Sequence, residues 1–428
     1  MRLLHDLTAT LPYIRFMLVF PRGAVQDPHG LCGLTHLVTR LALRGAGGRS
    51  LLAFHRELDS LGSSLDIQVG ARWTTVHGDC MPSTLPRFAA LLRDLLGSPA
   101  LEDSELDSLK SQHREALLGE RENDEQLFSL FIPRHLFGTN AHANPTQGLE
   151  SCVDRVTGQA ARDLWAQTFR RRPAIAGVVG NITEAAALRA LDQILEGFPE
   201  AAPTIFPEVP TPRLTEGSPR LLLVEKPGLT QIHAGFAALA PSATSPDYIP
   251  LHLANTAFGE LFTGPLVAEL RGRRGWCYST DSIYSPWPGF GVQTVILATG
   301  ATEGPKALAL AHKLFRAQAS KGLTEKELNF ARLHLVRRHP FSLSNPFTRM
   351  KTQIRMLLSA REPSWLDEYQ GRIEALTLPQ VNEALQRHWL TCPLAALAVV
   401  PPASAARYNK ALAPASLERV DWMHDWEA

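Results

Sequence analysis

Two stretches of this chain carry residue types whose spacing could do chemistry. The first, Leu270-Arg271-Gly272-Arg273-Arg274-Gly275-Trp276-Cys277-Tyr278-Ser279, runs a basic cluster through glycine into aromatic and small residues. It leaves Arg271 and Tyr278 seven residues apart. A guanidinium and a phenol both donate hydrogen bonds. On the residues alone two readings stand level. Either the pair faces a ligand, or Arg271 caps a helix C-terminus, where the dipole favours it, and Tyr278 starts a strand.

The second stretch is Gly33-Leu34-Thr35-His36-Leu37-Val38-Thr39-Arg40. A helical His followed three and four residues later by Glu and His stacks all three side chains on one face, where they can hold and work with zinc. Here Thr39 stands where the general base belongs and has no carboxylate. Arg40 puts a permanent cation where the second ligand belongs. One His and a distant carboxylate cannot hold zinc tightly, so no intrinsic catalytic metal is expected.

Other candidates read as structural. His135 and His142 flank a loop without a carboxylate cluster, and Trp276 suits packing better than a cofactor platform. Cys277 has no neighbouring His or Asp to make it a nucleophile. Arg170-Arg171-Arg172 precedes an apolar strand and suits a solvated turn, and Arg273 and Arg274 suit a solvated or interfacial face. Gly45-Ala46-Gly47-Gly48 lacks the Lys-Ser/Thr of a phosphate loop.

The elements that carry these residues belong to a chain of 428 residues, which exceeds one ordinary core and points to two or more domains. Apolar content of 45% and charged content of 20% are those of a globular protein. A net charge of +1 gives no bulk electrostatic case for nucleic acid or an anionic membrane. Five scattered cysteines, an odd number without close pairs, indicate free thiols in a reducing compartment. No signal peptide or membrane span is read near the N-terminus, where Arg15 and Pro21 break the apolar run. The cytoplasm is therefore expected.

The spacing predicts strands at Ile14–Phe20, Leu65–Val69, Thr74–Cys80 and Ala174–Val179, and helices at Gly30–Leu43, Leu51–Leu61, Ser83–Leu96 and Ser104–Glu122. Residues 201–219, rich in Pro and without periodicity, read as a linker. Beyond it the order repeats. Strands are predicted at Leu221–Val224, Ile232–Ala237, Tyr278–Tyr284 and Gly291–Ala298, and helices at Tyr248–Phe258 and Thr263–Arg271. Asp103-Ser104-Glu105-Leu106 echoes Leu323-Thr324-Glu325-Lys326-Glu327-Leu328. Val178-Val179-Gly180 echoes Val399-Val400-Pro401, and Glu57-Leu58 echoes Glu269-Leu270. The echoes lie roughly 210–220 residues apart in one order, which indicates duplication. The expected fold is α+β: two similar α/β domains, each an antiparallel-rich sheet packed by helices, at 1–200 and 220–428.

With these motifs in order, the chain resembles the pitrilysin/insulinase family of zinc metallopeptidases (inverzincins), near its mitochondrial-processing-peptidase-like branch. The resemblance rests on Gly33–Leu37, Leu61-Gly62-Ser63-Ser64-Leu65, Arg114–Glu120, His135-Leu136-Phe137-Gly138, Arg170–Gly180 and Leu266–Ser279, and spans about residues 12–400. It implies two α/β halves joined by the linker and forming half of a clam-like chamber. It also implies a degenerate zinc motif at His36, Thr39 and Arg40, with Glu120 near the third ligand as a relic. Arg271 and Tyr278 fall on the family's substrate-handling signature, the Arg bonding substrate backbone and the Tyr assisting the carbonyl oxygen.

The function so implied is that of a non-catalytic subunit of a heterodimeric zinc peptidase. A zinc-bearing partner would hold the metal and the base, and peptides or unfolded segments would be the substrate. This chain itself would need no cofactor. Two alternatives are a purely structural or assembly subunit, and an accessory subunit that matures one peptide in cofactor or bacteriocin biosynthesis.

Overall fold

A computed structural model describes residues 1–200 and 220–425; the linker assigned to 201–219 lies outside them. Two sheets organise the chain. The first contains β1 (Arg2–Leu7), β2 (Ile14–Phe20), β3 (Ser64–Val69), β4 (Thr74–Cys80) and β5 (Ile175–Gly180) in the order β1-β5-β2-β4-β3. The second contains β6 (Arg220–Glu225), β7 (Gln231–Ala240), β8 (Cys277–Pro286), β9 (Gly291–Gly300), β10 (Ala395–Val400) and β11 (Ser416–Asp421) in the order β11-β6-β10-β7-β9-β8. Dropping β11, each strand of the second sheet corresponds to the strand five earlier. Both sheets pair their first and last repeat strands in parallel, β1 with β5 and β6 with β10, and run antiparallel from there to β3 or β8. The duplication seen as three short echoes is a duplication of topology.

Local sequence explains the layers. β2 and β5 are apolar almost throughout and buried almost throughout, as central strands covered on both faces must be. β4 alternates buried and half-buried residues along its length. Helix α1 (Leu34–Ala42) turns Leu34, Leu37, Val38 and Leu41 into the core, and α2 (Leu51–Ser60) adds Phe54 and Leu58. Ser50 caps α2 through its side chain, accepting from Ala53 N. Helix α1 has no such residue before it. Its start is held by Asp27, whose carboxylate accepts from Gly33 N at 3.0 Å and from the Thr35 hydroxyl at 2.5 Å. Truncating Phe16, Phe20 or Phe54, each fully buried, would cost about 3–5 kcal/mol.

The described residues cluster into two compact units that do not follow chain order. One holds residues 1–119, 144–200 and 344–354; the other holds 120–143, 220–343 and 355–425. Helix α3 (Leu85–Gly97) packs in the first unit, and α4 (Asp103–Glu122) begins there and ends in the second. Helix α5 (Asp124–Phe137) belongs to the second unit, where Lys226 Nζ reaches Asp124 at 2.5 Å and His135 Nε2 meets Arg220 O at 3.0 Å. The start of helix Pro346–Leu358 belongs to the first unit. Arg349 pairs there with Asp6 at 2.5 Å, and Phe347 stacks on Tyr13 at 5.5 Å.

The structure differs from the sequence reading at three places. β1 and β11 are unread in the sequence because both are short, half-exposed edge strands with weak alternation. The helix expected at Thr263–Arg271 is a single turn, Pro265–Val267, that widens into a π-helical segment, Ala268–Arg273. Tyr248–Asn255 likewise runs into a π-helical segment, Thr256–Glu260. Such widened turns concentrate near functional sites.

Candidate functional site

Arg271 lies within the π-helical segment that ends at Arg273. Its neighbour Leu270 is fully buried and turns the segment's apolar side inward, leaving Arg271 exposed. Gly275, in the left-handed region at φ +63°, reverses the chain, and Trp276 N closes the reversal on Leu270 O at 2.9 Å. Thr299 on β9 then donates its hydroxyl to Trp276 O at 2.6 Å and fastens the turn to the sheet.

Tyr278 is set by a β-bulge. Along β8, Cys277 faces Thr299 and Ser279 faces Ala298, so Tyr278 is the extra residue without a register partner. The bulge breaks the alternation, and Tyr278 and Ser279 both point to solvent. Tyr278 is 80% exposed, so its phenol is available to a ligand.

The two side chains line one pocket of about 610 Å³, together with Thr230, Gln231, Trp276 and the backbone of Gly275 and Gly300. The pocket opens at one end of the second sheet, where β7 and β8 begin and β9 ends. Among the described residues no acidic residue lines it. Of the three nearby arginines, Arg273 and Arg274 both ion-pair with Glu269. Arg271 pairs with no carboxylate among the described residues; its guanidinium lies 5.7 Å from the Phe262 ring. Arg274 also covers the Trp276 ring at 5.3 Å, giving that indole a packing role. Burial pushes the Cys277 thiol up to about 11, which suits an inert core residue.

A buried polar network holds this corner. Asn255 Nδ2 donates to Glu260 Oε1 at 2.7 Å and to Ser282 O at 2.8 Å. Its Oδ1 accepts from Ser282 Oγ at 2.7 Å and Gln293 Nε2 at 2.8 Å. Both donors and both lone pairs of the amide are used. The network joins the π-helical segment Thr256–Glu260 to β9 and to the middle of the edge strand β8. Sequence reasoning missed it, although an Asn inside the apolar run Leu251–Phe258 was its one visible signal. Phe262 was missed as well, and Thr230, Gln231 and Gly300 give no local signal.

The first-half motif is arranged differently. His36 stacks on His113 of α4 with ring centroids 5.0 Å apart, and His113 Nε2 contacts Gln147 O at 2.9 Å. Burial first, then His113 and Arg40, drives the His36 imidazole down to about 3, so it stays neutral. Thr39 is fully buried and donates its hydroxyl to His36 O at 2.8 Å. Arg40 pairs with Asp66 at 3.2 Å. Glu120 follows His113 by seven residues on α4 and clusters with the second unit. Among the described residues, no group of three or more His, Cys, Asp or Glu could hold a metal ion. The residues at this motif do not fit zinc.

The remaining candidates occupy ordinary structural positions. His135 is bonded to Arg220 O, as noted, and the His142 ring meets Phe290 edge-on at 4.9 Å. Arg172 pairs with Glu200 at 3.3 Å. Among the described residues no helix is long and apolar enough to cross a membrane.

Comparison with known proteins agrees with this fold. Residues 9–148 match the family described as Insulinase (Peptidase family M16), and residues 155–335 match Peptidase M16 inactive domain. An uncharacterized zinc protease of Streptomyces coelicolor is 22% identical, covering 77% of this chain and 72% of its own. The non-peptidase homolog YmxG of Helicobacter pylori is 20% identical over 86% of this chain and 84% of its own. The mitochondrial-processing peptidase subunit beta of Bos taurus is 21% identical over 92% and 80%. A crystal structure of a peptidase M16 inactive domain from Pseudomonas fluorescens superposes with a TM-score of 0.81. It is 21% identical and covers 93% of this chain and 95% of that one.

Proposed function

Because this chain belongs to the Peptidase M16 (pitrilysin/insulinase) family, of the inactive type, we propose that it is the non-catalytic subunit of a two-chain peptidase. In this reading a partner of the same family bears the zinc and the general base. This chain contributes a substrate-facing pocket. The observation that carries the reading is an asymmetry between its two motifs. Thr39 and Arg40 remove the metal chemistry, while Arg271 and Tyr278 share one open pocket, their donor groups without a hydrogen-bond partner among the described residues.

The chemistry of this chain's own groups is hydrogen-bond donation. The Tyr278 hydroxyl can donate to a peptide carbonyl oxygen as charge develops on it, and the Arg271 guanidinium can donate to substrate backbone. Neither group needs to give up a proton. Support for a two-chain assembly comes from the relative named as one subunit of a processing peptidase. Five free thiols agree with work in the cytoplasm. The substrate would be a peptide or an unfolded segment, since an edge strand such as β8 offers backbone groups to an extended chain.

A scaffold role is the competing reading, favoured by the relative named a non-peptidase homolog. Co-purification with the partner and assay of the pair separates the two. A fall in kcat/KM in Arg271→Ala and Tyr278→Phe with intact assembly supports substrate handling. Unchanged kcat/KM in both variants overturns it.

A further inference from the structure

Resting on that reading, we propose that the Arg271 pocket captures the free C-terminal carboxylate of a peptide lying antiparallel on the β8 edge. Three observations converge on it. The first is charge. Arg273 and Arg274 are neutralised by Glu269, whereas Arg271 has no carboxylate partner among the described residues, and no acid lines the pocket. A guanidinium binds a planar carboxylate through two parallel hydrogen bonds, a geometry that a single backbone carbonyl cannot use. The Phe262 ring at 5.7 Å limits the directions open to that guanidinium.

The second is direction. β8 is the edge strand of its sheet and runs from Cys277, at the pocket, to Pro286. A peptide pairing antiparallel to it runs towards the Cys277 side, so one that stops there brings its C-terminus beside Arg271. A parallel peptide would bring an ammonium group to the same cation, and like charges repel. The third is room. A pocket of about 610 Å³, open to solvent, can seat the last few residues of a peptide. Tyr278 lies at the mouth of the same pocket, so the carbonyl it serves belongs to one of the residues just before the C-terminus. The substrate class is therefore peptides cut close to a free C-terminus.

The test is binding to the full chain without its partner. The probe is a ten-residue Val/Thr/Ala peptide carrying an N-terminal fluorophore, read by fluorescence anisotropy. It is compared with its C-terminal amide and with an amide carrying Glu at the last position. The free acid is expected to bind at least about tenfold more tightly than the plain amide. Arg271→Gln is expected to erase that difference, and Arg271→Lys to keep part of it. Recovery of binding by the Glu-bearing amide would assign the recognition to a carboxylate in general. No recovery would assign it to the chain terminus. Equal binding of acid and amide, discrimination that survives Arg271→Gln, or no binding at all overturns the proposal. Turnover of the assembled pair tests the subunit role separately, so the two readings can fail independently.

Discussion

Ser282 on β8 donates its hydroxyl to Asn255 Oδ1 at 2.7 Å, tying the edge strand to the last residue of helix Tyr248–Asn255. Both residues are fully buried. Because every hydrogen-bonding position of the Asn255 amide is filled, its loss strands several polar groups at once. Asn255→Ala should lower stability by about 3 kcal/mol, read as a shift of the urea midpoint at constant slope. A shift smaller than that of a surface alanine variant would show the network to be dispensable.

Tyr278 and Arg271 should separate kinetically in the assembled pair. A donor used as charge develops affects kcat, so Tyr278→Phe should lower kcat by roughly a hundredfold with little change in KM. A donor that holds the ground-state substrate affects KM, so Arg271→Ala should raise KM mainly. If both variants moved only KM, Tyr278 would have no role in assisting the carbonyl.

His36 should make stability depend on pH. Its folded value is driven down to about 3, while the unfolded value is the ordinary 6.5. Between these the unfolded chain binds the extra proton, so stability falls as the pH drops from about 6.5 towards 3. One group of this kind contributes a slope of at most about 1.4 kcal/mol per pH unit. His36→Gln should flatten the dependence of the urea midpoint on pH within that window. An unchanged slope would mean that His36 accepts a proton in the folded chain.

The isolated chain should not retain zinc. Dialysis against excess zinc followed by metal analysis should leave well under one ion per chain, and peptides should survive incubation with it. One tightly held zinc per chain would contradict the reading of the His36 motif and with it the need for a second, metal-bearing chain.

Much of this arrangement was legible along the chain. Central strands such as β2 and β5 announce themselves because burial on both faces forces a run of apolar residues. The duplication is audible as Val178–Gly180 against Val399–Pro401, because equivalent strands keep equivalent burial. That Thr39 and Arg40 can serve neither as general base nor as zinc ligand is visible because ligand chemistry tolerates few side chains at a fixed helical spacing. β11 was not legible, since its burial comes from pairing beside β6 and leaves little pattern. The exchange that assigns α5 to the second unit and the start of helix Pro346–Leu358 to the first was equally silent. An amphipathic helix records that it packs, and does not record on which sheet.

By itself the sequence determined which residues could do chemistry: a metal motif without its metal ligands, and an Arg/Tyr pair seven residues apart. It could not decide whether that pair capped an element or faced a ligand, because both readings use the same side chains. Tertiary structure adds what spacing along the chain leaves out. The bulge opposite Thr299 turns Tyr278 outward, Glu269 engages Arg273 and Arg274 but not Arg271, and the ends of β7 and β9 wall the pocket. Each of these is a relation between residues whose geometry is set by sheet pairing, and spacing along one strand does not encode it.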